Sequence, residues 1–360
     1  MKAMTGLKHK LSILIFLLLL ADCSTAKKEA AREAVSTAEQ TGEMSVEIGP
    51  AETELVETPV EAPPEAAPAM PIVLIPEELR PGEPLTVAFM AGGDGAARNF
   101  RVALLNSREE RLAKAAAFSL EEDGAGVLAA TIAVPSTALP GEALIRVEKD
   151  GVTLGEISFH IADREFAAEE IELNQQNTNI RTVPDPQKTT ESEQLWGIIN
   201  STGTEIFTAG AFVPPVNSTR RTSSYGDRRV YRYVTGKTDT AIHAGVDYGV
   251  PTGTPVSACA EGRVVLARFR ISTGNSVILE HLPGVYSIYY HMDSIQVTEG
   301  AMVSSGDLLG ESGSTGLATG PHLHWEIRVS GENTDPDAFT ARPVLDKAAI
   351  LSKLGELGNL

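Results

Sequence analysis

The segment GLATGPHLHWEIRV (316–329) sets His322 and His324 two residues apart in a chain with seven histidines. Polar His322, His324, Glu326 and Arg328 alternate with apolar Leu323, Trp325, Ile327 and Val329. Strict alternation is the period of a half-buried strand. Both imidazoles then face one way, with tips about 7 Å apart, while Trp325 leads the face that packs into a core. Two imidazoles on one cleft can hold a metal, work as a general acid/base pair, or do both. Five of the seven histidines fall between 243 and 324, which concentrates this chemistry in one region. Upstream, His243 and Asp247 stand four apart in HAGVDYG (243–249). A straight strand would hold them about 13 Å apart, too far for one ion bound at about 2 Å. A helix is poorly served by Gly245, Val246, Tyr248 and Gly249. An extended segment bent at Gly245 would bring both side chains onto one point.

The elements that must position these residues are strands. From about 212, glycines punctuate short apolar runs: VSACAEGRVVLARFR, NSVILEHL, YSIYYHMDS, DLLGESGS and HLHWEIRV. Pro283-Gly284 turns one strand into the next, and no helical period arises before VLDKAAILSKLGEL (344–357). Residues 71–163 carry strands at the spacing of a small immunoglobulin-like β-sandwich, with KDG (149–151) as a hairpin turn. His160 stands alone there and reads as a strand residue rather than a ligand. Residues 164–211 are polar and linker-like, with one short helix expected over TESEQLWGIIN (190–200). The expected fold class is all-β: a sandwich, a β-rich domain over 212–340, and a C-terminal helix and tail over 341–360.

The N-terminus reads as a targeting segment. Lys2, Lys8, His9 and Lys10 precede LSILIFLLLLA (11–21), an apolar run too short to span a bilayer comfortably. The following LADCS (20–24) resembles the lipobox of bacterial lipoproteins, which would make Cys23 a lipidated first mature residue and a membrane tether. Asp22 stands where a small residue is usual, and ordinary signal cleavage near Ala26 is the alternative. Either route exports the protein to the periplasm or cell envelope. Residues 27–70 hold ten glutamates against Lys27, Lys28 and Arg32, and so carry −7 of the chain's net −18. That composition reads as a disordered acidic linker, and the acidity argues against nucleic acid as a partner. With Cys23 acylated or removed, Cys259 has no partner for a disulfide, and its strand-like setting reads as a small buried side chain.

Taken together, the motifs of residues 212–337 resemble the zinc-dependent peptidoglycan endopeptidases of the LytM and lysostaphin type, peptidase family M23. The resemblance runs through SSYGDRR (223–229), HAGVDYGVPTGTPVSACAEGRVV (243–265), GNSVILEHLPGVYSIYYHM (274–292), VTEGAMVSSGDLLGESGSTGLATGPHLHWEI (297–327) and TDPDAF (334–339). It implies His243, Asp247 and His324 as ligands of one Zn2+, with His291 and His322 as catalytic histidines beside the metal. Three protein ligands leave a fourth position open, as catalytic zinc requires. No H-E-x-x-H supplies a glutamate base, so a histidine must handle the proton. Peptidoglycan stem peptides and cross-links are the implied substrate. The alternative is a non-catalytic relative that activates other wall hydrolases; those lack members of the five-residue set, and this chain lacks none.

Four nearby features receive plainer readings. Glu326 shares the face of His322 and His324 and is expected to form an outward salt bridge or to support a ligand. His281, beside Pro283, is expected to be peripheral. STGLATG (314–320) reads as a glycine-rich loop at the cleft wall, since no lysine follows it and no helix begins there. Arg220, Arg221, Arg228, Arg229, Arg232 and Lys237, with only Asp227 among them, read as a solvated basic loop that could meet wall-peptide carboxylates.

Overall fold

The computed structural model describes residues 70–91, 97–120 and 126–357. The expected signal segment, Cys23 and the acidic stretch up to residue 69 lie outside the described residues. Among the described residues no helix is long and apolar enough to cross a membrane.

Strands dominate, as the patterning leads one to expect. The first eight are β1 (Ile72–Ile75), β2 (Pro84–Met90), β3 (Phe100–Asn106), β4 (Arg111–Ala116), β5 (Phe118–Ser119), β6 (Val127–Ala133), β7 (Gly141–Lys149) and β8 (Val152–Ile161). They pair antiparallel into two four-stranded sheets, β1-β2-β6-β5 and β4-β3-β7-β8. Leu85, Phe89, Phe100, Leu104, Ile132 and Ile145 pack in the core that the two sheets share. β7 alternates buried and half-exposed residues, whereas β6 is buried throughout. The difference follows from position, because Ala88, Val127 and Ala129 on the other face of the first sheet join a second core. Asp150 and Gly151, at φ 49° and 83°, make the two-residue turn between β7 and β8.

The connecting segment is more structured than its polarity suggests. It contains β9 (Ala168–Glu172), α1 (Gln175–Thr182) and α2 (Pro186–Ile199). The sequence reading anticipated only the last of these. AEEIE has too few apolar residues to signal a buried strand; β9 is held instead by parallel pairing with a later strand.

The remaining strands are β10 (Arg221–Ser223), β11 (Arg228–Arg232), β12 (Thr238–Ile242), β13 (Gly245–Tyr248), β14 (Pro255–Ser257), β15 (Gly262–Arg270), β16 (Gly274–Leu282), β17 (Val285–Ile295), β18 (Met302–Val303), β19 (Leu308–Ser312), β20 (Leu323–Val329) and β21 (Glu332–Thr334). The chain then forms α3 (Pro336–Ala341) and α4 (Lys347–Glu356). Ten of the strands form one sheet around the order β10-β13-β20-β17-β16-β15-β18, and β12-β11-β9 form a small separate one. One face of the large sheet presents Leu323, Trp325, Ile327, Val246, Tyr248 and Tyr289 to a core closed by Phe339, Ile350 and Leu354 of α3 and α4. On the other face, Leu195, Ile198 and Ile199 of α2 pack on Leu266, Ile278, Tyr286, Ile288 and Tyr290.

Gly245 does not act as the expected bend. It lies within β13, paired with Glu326, and a Cβ there would stand 2.2 Å from the Trp325 carbonyl oxygen. The chain turns at residues 243–244 instead, where it passes from the small sheet to the large one. Glycine at 245 permits the close approach of two strands. Gly245→Ala is therefore expected to destabilise the fold by about 1–3 kcal/mol, the usual cost of overpacking. Thermal denaturation checks this, and an unchanged Tm would remove the close-packing explanation.

Candidate metal centre

His243 sits between two sheets, and backbone bonds hold it from both sides. Its N–H donates to the Asp227 carbonyl, and its own carbonyl accepts from Gly226 N–H. Asp247 follows on β13 directly opposite His324 on β20. The three side chains converge. His243 Nε2 lies 3.1 Å from Asp247 Oδ1 and 3.0 Å from His324 Nδ1, and the latter two atoms are 2.8 Å apart. Each of the three residues is under 8% exposed. Together they form a group able to hold a metal ion.

The fit to such an ion can be tested on the far side of each ligand. His243 Nδ1–H donates to the Ser224 carbonyl at 2.7 Å, which leaves Nε2 as a lone pair. His324 Nε2–H donates to Glu326 Oε2 at 3.2 Å, which leaves Nδ1 free. Asp247 Oδ2 accepts from Arg229 Nη2 at 2.8 Å, which leaves Oδ1. Three acceptor atoms packed this tightly, with no donor among them once these tautomers are set, require a cation or a proton between them. A tetrahedral ion with bonds near 2.1 Å separates its ligand atoms by about 3.4 Å, so the cluster need open by only a few tenths of an ångström.

Electrostatics agree with this picture. Burial pushes the Asp247 carboxyl up, but its hydrogen bonds with His243 and His324 outweigh that and hold it well below the usual carboxylate range. Burial likewise disfavours the His324 imidazolium, yet hydrogen bonds to Asp247 and Glu326 raise it to about 9. Burial lowers His243 despite the same aspartate. His324 lies between two carboxylates, and so it is the site that takes the proton when no cation is present.

His291 and His322 form a second pair beside this cluster. Their ring centroids are 4.8 Å apart, and His322 Nε2 is 3.8 Å from Asp247 Oδ1. His291 Nδ1–H donates to the Thr315 carbonyl and His322 Nδ1–H to the Gly320 carbonyl, each at 2.8 Å. Both acceptors belong to the glycine-rich loop at 314–320. Gly316 lets this loop press against the β16 start: at φ 73°, its Cβ would lie 2.3 Å from Gly274 N. His291 itself is held at φ 63°, and burial pushes its imidazole down to about 3, with His322 and His324 adding to the effect. It is therefore neutral, with a free Nε2.

Glu326 takes the second of its two expected roles, and two further readings are refined. Glu326 is buried rather than outward; it accepts from His324 and is ion-paired with Arg328. Period-two alternation gave the signal for it, since it shares the face of His324. His281 has none of the cluster residues among its hydrogen-bond partners, yet it is not at the surface: it is fully buried, 2.7 Å from Ser287 Oγ and 3.7 Å from Cys259 Sγ. Burial there lowers the imidazole to about 4 and pushes the Cys259 thiol up to about 11. The basic stretch is largely consumed within the fold. Arg221 pairs with Asp337, Arg232 with Glu170, and Arg229 with Glu169 and Asp247, while Arg220 and Arg228 donate to backbone carbonyls. Sequence reasoning did not single out Arg229 as an Asp247 partner, because its counter-charges are distant along the chain.

Comparison with known proteins places these residues in context. The profile of peptidase family M23 matches residues 241–336. The DD-carboxypeptidase/endopeptidase Mpg of Neisseria meningitidis serogroup B is 37% identical over 127 residues, which cover 35% of this chain and 28% of that protein. The peptidoglycan DD-endopeptidase ShyA of Vibrio cholerae is 42% identical over 117 residues, covering 32% of this chain and 27% of that one. The chain thus aligns with under a third of these relatives' length. The catalytic domain of lysostaphin from Staphylococcus simulans is 31% identical, with a TM-score of 0.29 and coverage of 34% of this chain and 92% of that domain.

Two outcomes are expected for the cluster. Binding of a divalent cation near pH 7.5 should release about one proton, displaced from His324, and the release should fade above about pH 9, where that ring is already neutral. Calorimetry in buffers of different ionisation enthalpy reads this, and pH-independent release would contradict the proton assignment. Arg229→Met removes the clamp on Asp247 Oδ2 and should weaken metal affinity by about 10–100-fold in a chelator competition.

Proposed function

We propose that this chain, whose residues 241–336 match the profile of peptidase family M23, is an exported zinc endopeptidase that hydrolyses the peptide cross-links of bacterial peptidoglycan. The observation that carries this reading is the meeting of His243 Nε2, Asp247 Oδ1 and His324 Nδ1 at one point, with each ligand braced from behind. His243, Asp247 and His324 would hold the Zn2+. That ion would polarise the scissile carbonyl and acidify a water at its open position.

The protein's own groups would do the rest. His291 and His322 each point Nδ1–H at a loop carbonyl, so each leaves Nε2 as the nitrogen with a lone pair. One can accept the proton of the attacking water and the other can stabilise the oxyanion or deliver a proton to the leaving amine. The low proton affinity of His291 suits a group that must be neutral before the reaction. Arg229, Ser224 and Glu326 hold the three ligands in one orientation. The two relatives, one named a peptidoglycan DD-endopeptidase and the other a DD-carboxypeptidase/endopeptidase, support peptidoglycan as the substrate. They also support a location outside the cytoplasm, and lipid attachment through Cys23 belongs to the same proposal. The non-catalytic alternative is disfavoured by a site with none of its five groups missing.

Purified protein incubated alone with sacculi is expected to release uncrosslinked stem peptides, read by product mass. His324→Ala should lose both metal and cleavage. His322→Ala and His291→Ala should keep metal and lose about 10²–10⁴-fold in turnover. Intact sacculi after incubation with metal-loaded protein would overturn the enzyme assignment and favour the activator.

A further inference from the structure

The chain contains two tryptophans, and they are used in opposite ways. Trp325 is fully buried in the core, whereas Trp196 is 51% exposed. Trp196 lies on α2, whose packing onto the sheet is carried by Leu195, Ile198 and Ile199. The indole therefore is not required to hold its helix down. It borders a groove of about 380 Å³ between β4 on one side and the end of α2 with the β20–β21 turn on the other.

The groove is built for a polar ligand with an apolar face. Trp196 offers an aromatic surface, and the Arg328 guanidinium lies 5.7 Å from its ring centroid. Asn200, Glu332 and Asn333 line the same space, with Lys114 on the opposite wall. A flat aromatic face beside planar amide, carboxylate and guanidinium groups matches a pyranose ring. The ring's C–H face packs on the indole while its hydroxyl and acetamido groups take the hydrogen bonds.

We propose that the Trp196 groove binds the N-acetylated hexosamine backbone of a peptidoglycan glycan strand. The proposal rests on the reading of peptidoglycan as substrate and extends it to a site away from the metal. Arg328 at the groove and His324 in the cluster lie on the same strand, β20, four residues and about 13 Å apart, so one element carries both sites.

The test uses the full chain and two peptide-free probes: chitohexaose, followed by calorimetry and tryptophan fluorescence, and sacculi stripped of stem peptides by an amidase, followed by pelleting. Wild type should bind both saturably. Trp196→Ala should bind about tenfold or more weakly, Trp196→Phe should retain most of the calorimetric affinity, and both variants should keep the wild-type metal content that reports a folded site. Wild-type protein that binds neither probe, or Trp196→Ala that binds as well as wild type, would overturn the proposal. Neither probe has a peptide bond to cut. A negative result here therefore leaves the peptidase reading standing, and that reading fails only in the sacculus digestion described above.

Discussion

The site depends on the register between β13 and β20. Antiparallel pairing puts Asp247 directly opposite His324, and a carboxylate and an imidazole 77 residues apart become cross-strand neighbours at 2.8 Å. Side chains alternate across a sheet, so a slip of one residue would send Asp247 into the core and bring an apolar neighbour to the cleft. The same register is enforced from the opposite face, where Val246, Tyr248, Leu323 and Trp325 are all fully buried. Core burial and ligand convergence are thus two consequences of one pairing. The third side chain of the group does not belong to it: His243 is delivered by a turn outside the sheet and held there by backbone bonds to Gly226 and Asp227.

A converging cluster would be ineffective if its rings could flip or take the wrong tautomer. Every imidazole in the site has one nitrogen tied to a fixed acceptor: Ser224, Thr315 and Gly320 carbonyls, or the Glu326 carboxylate. Three of the four acceptors are backbone atoms, which leave no trace in side-chain patterning. The glycine-rich loop supplies two of them. That explains why STGLATG can matter without contributing a reactive side chain: its conformation, possible only with glycine at 316, aims its carbonyls at His291 and His322.

This also explains what was legible beforehand. The alternation of 322–329 made β20, its two faces and the shared direction of His322, His324 and Glu326 readable, because period two is a local property. The sandwich strands and the turn at 149–151 were readable for the same reason. The bend assigned to Gly245 was misplaced because a glycine in a motif can serve a turn or a close approach, and only the neighbouring strand decides between them. The basic stretch was misread because its countercharges come from elsewhere. Glu169 and Glu170 lie on β9, which has no apolar period, and Asp337 follows more than a hundred residues later. Burial of His281 depended on Ser287 and the Glu261 carbonyl, which give an imidazole enough polar company to sit in a core.

The β9 strand also changes where the functional unit begins. The family match starts at residue 241, and a boundary drawn from composition falls near 212; both exclude Glu169. Yet Glu169 accepts from Arg229 Nε at 2.5 Å and from Ser223 Oγ at 2.9 Å, while Arg229 holds Asp247. The parallel pairing of β9 with β11 covers an edge that would otherwise be open. A fragment that starts after β9 would keep all three converging side chains. It would lose one of the two carboxylates that orient the arginine and free that guanidinium to leave the aspartate. The His243–Asp247–His324 cluster is therefore a property of more chain than its motifs mark, and the segment that looks like a tether is part of its support.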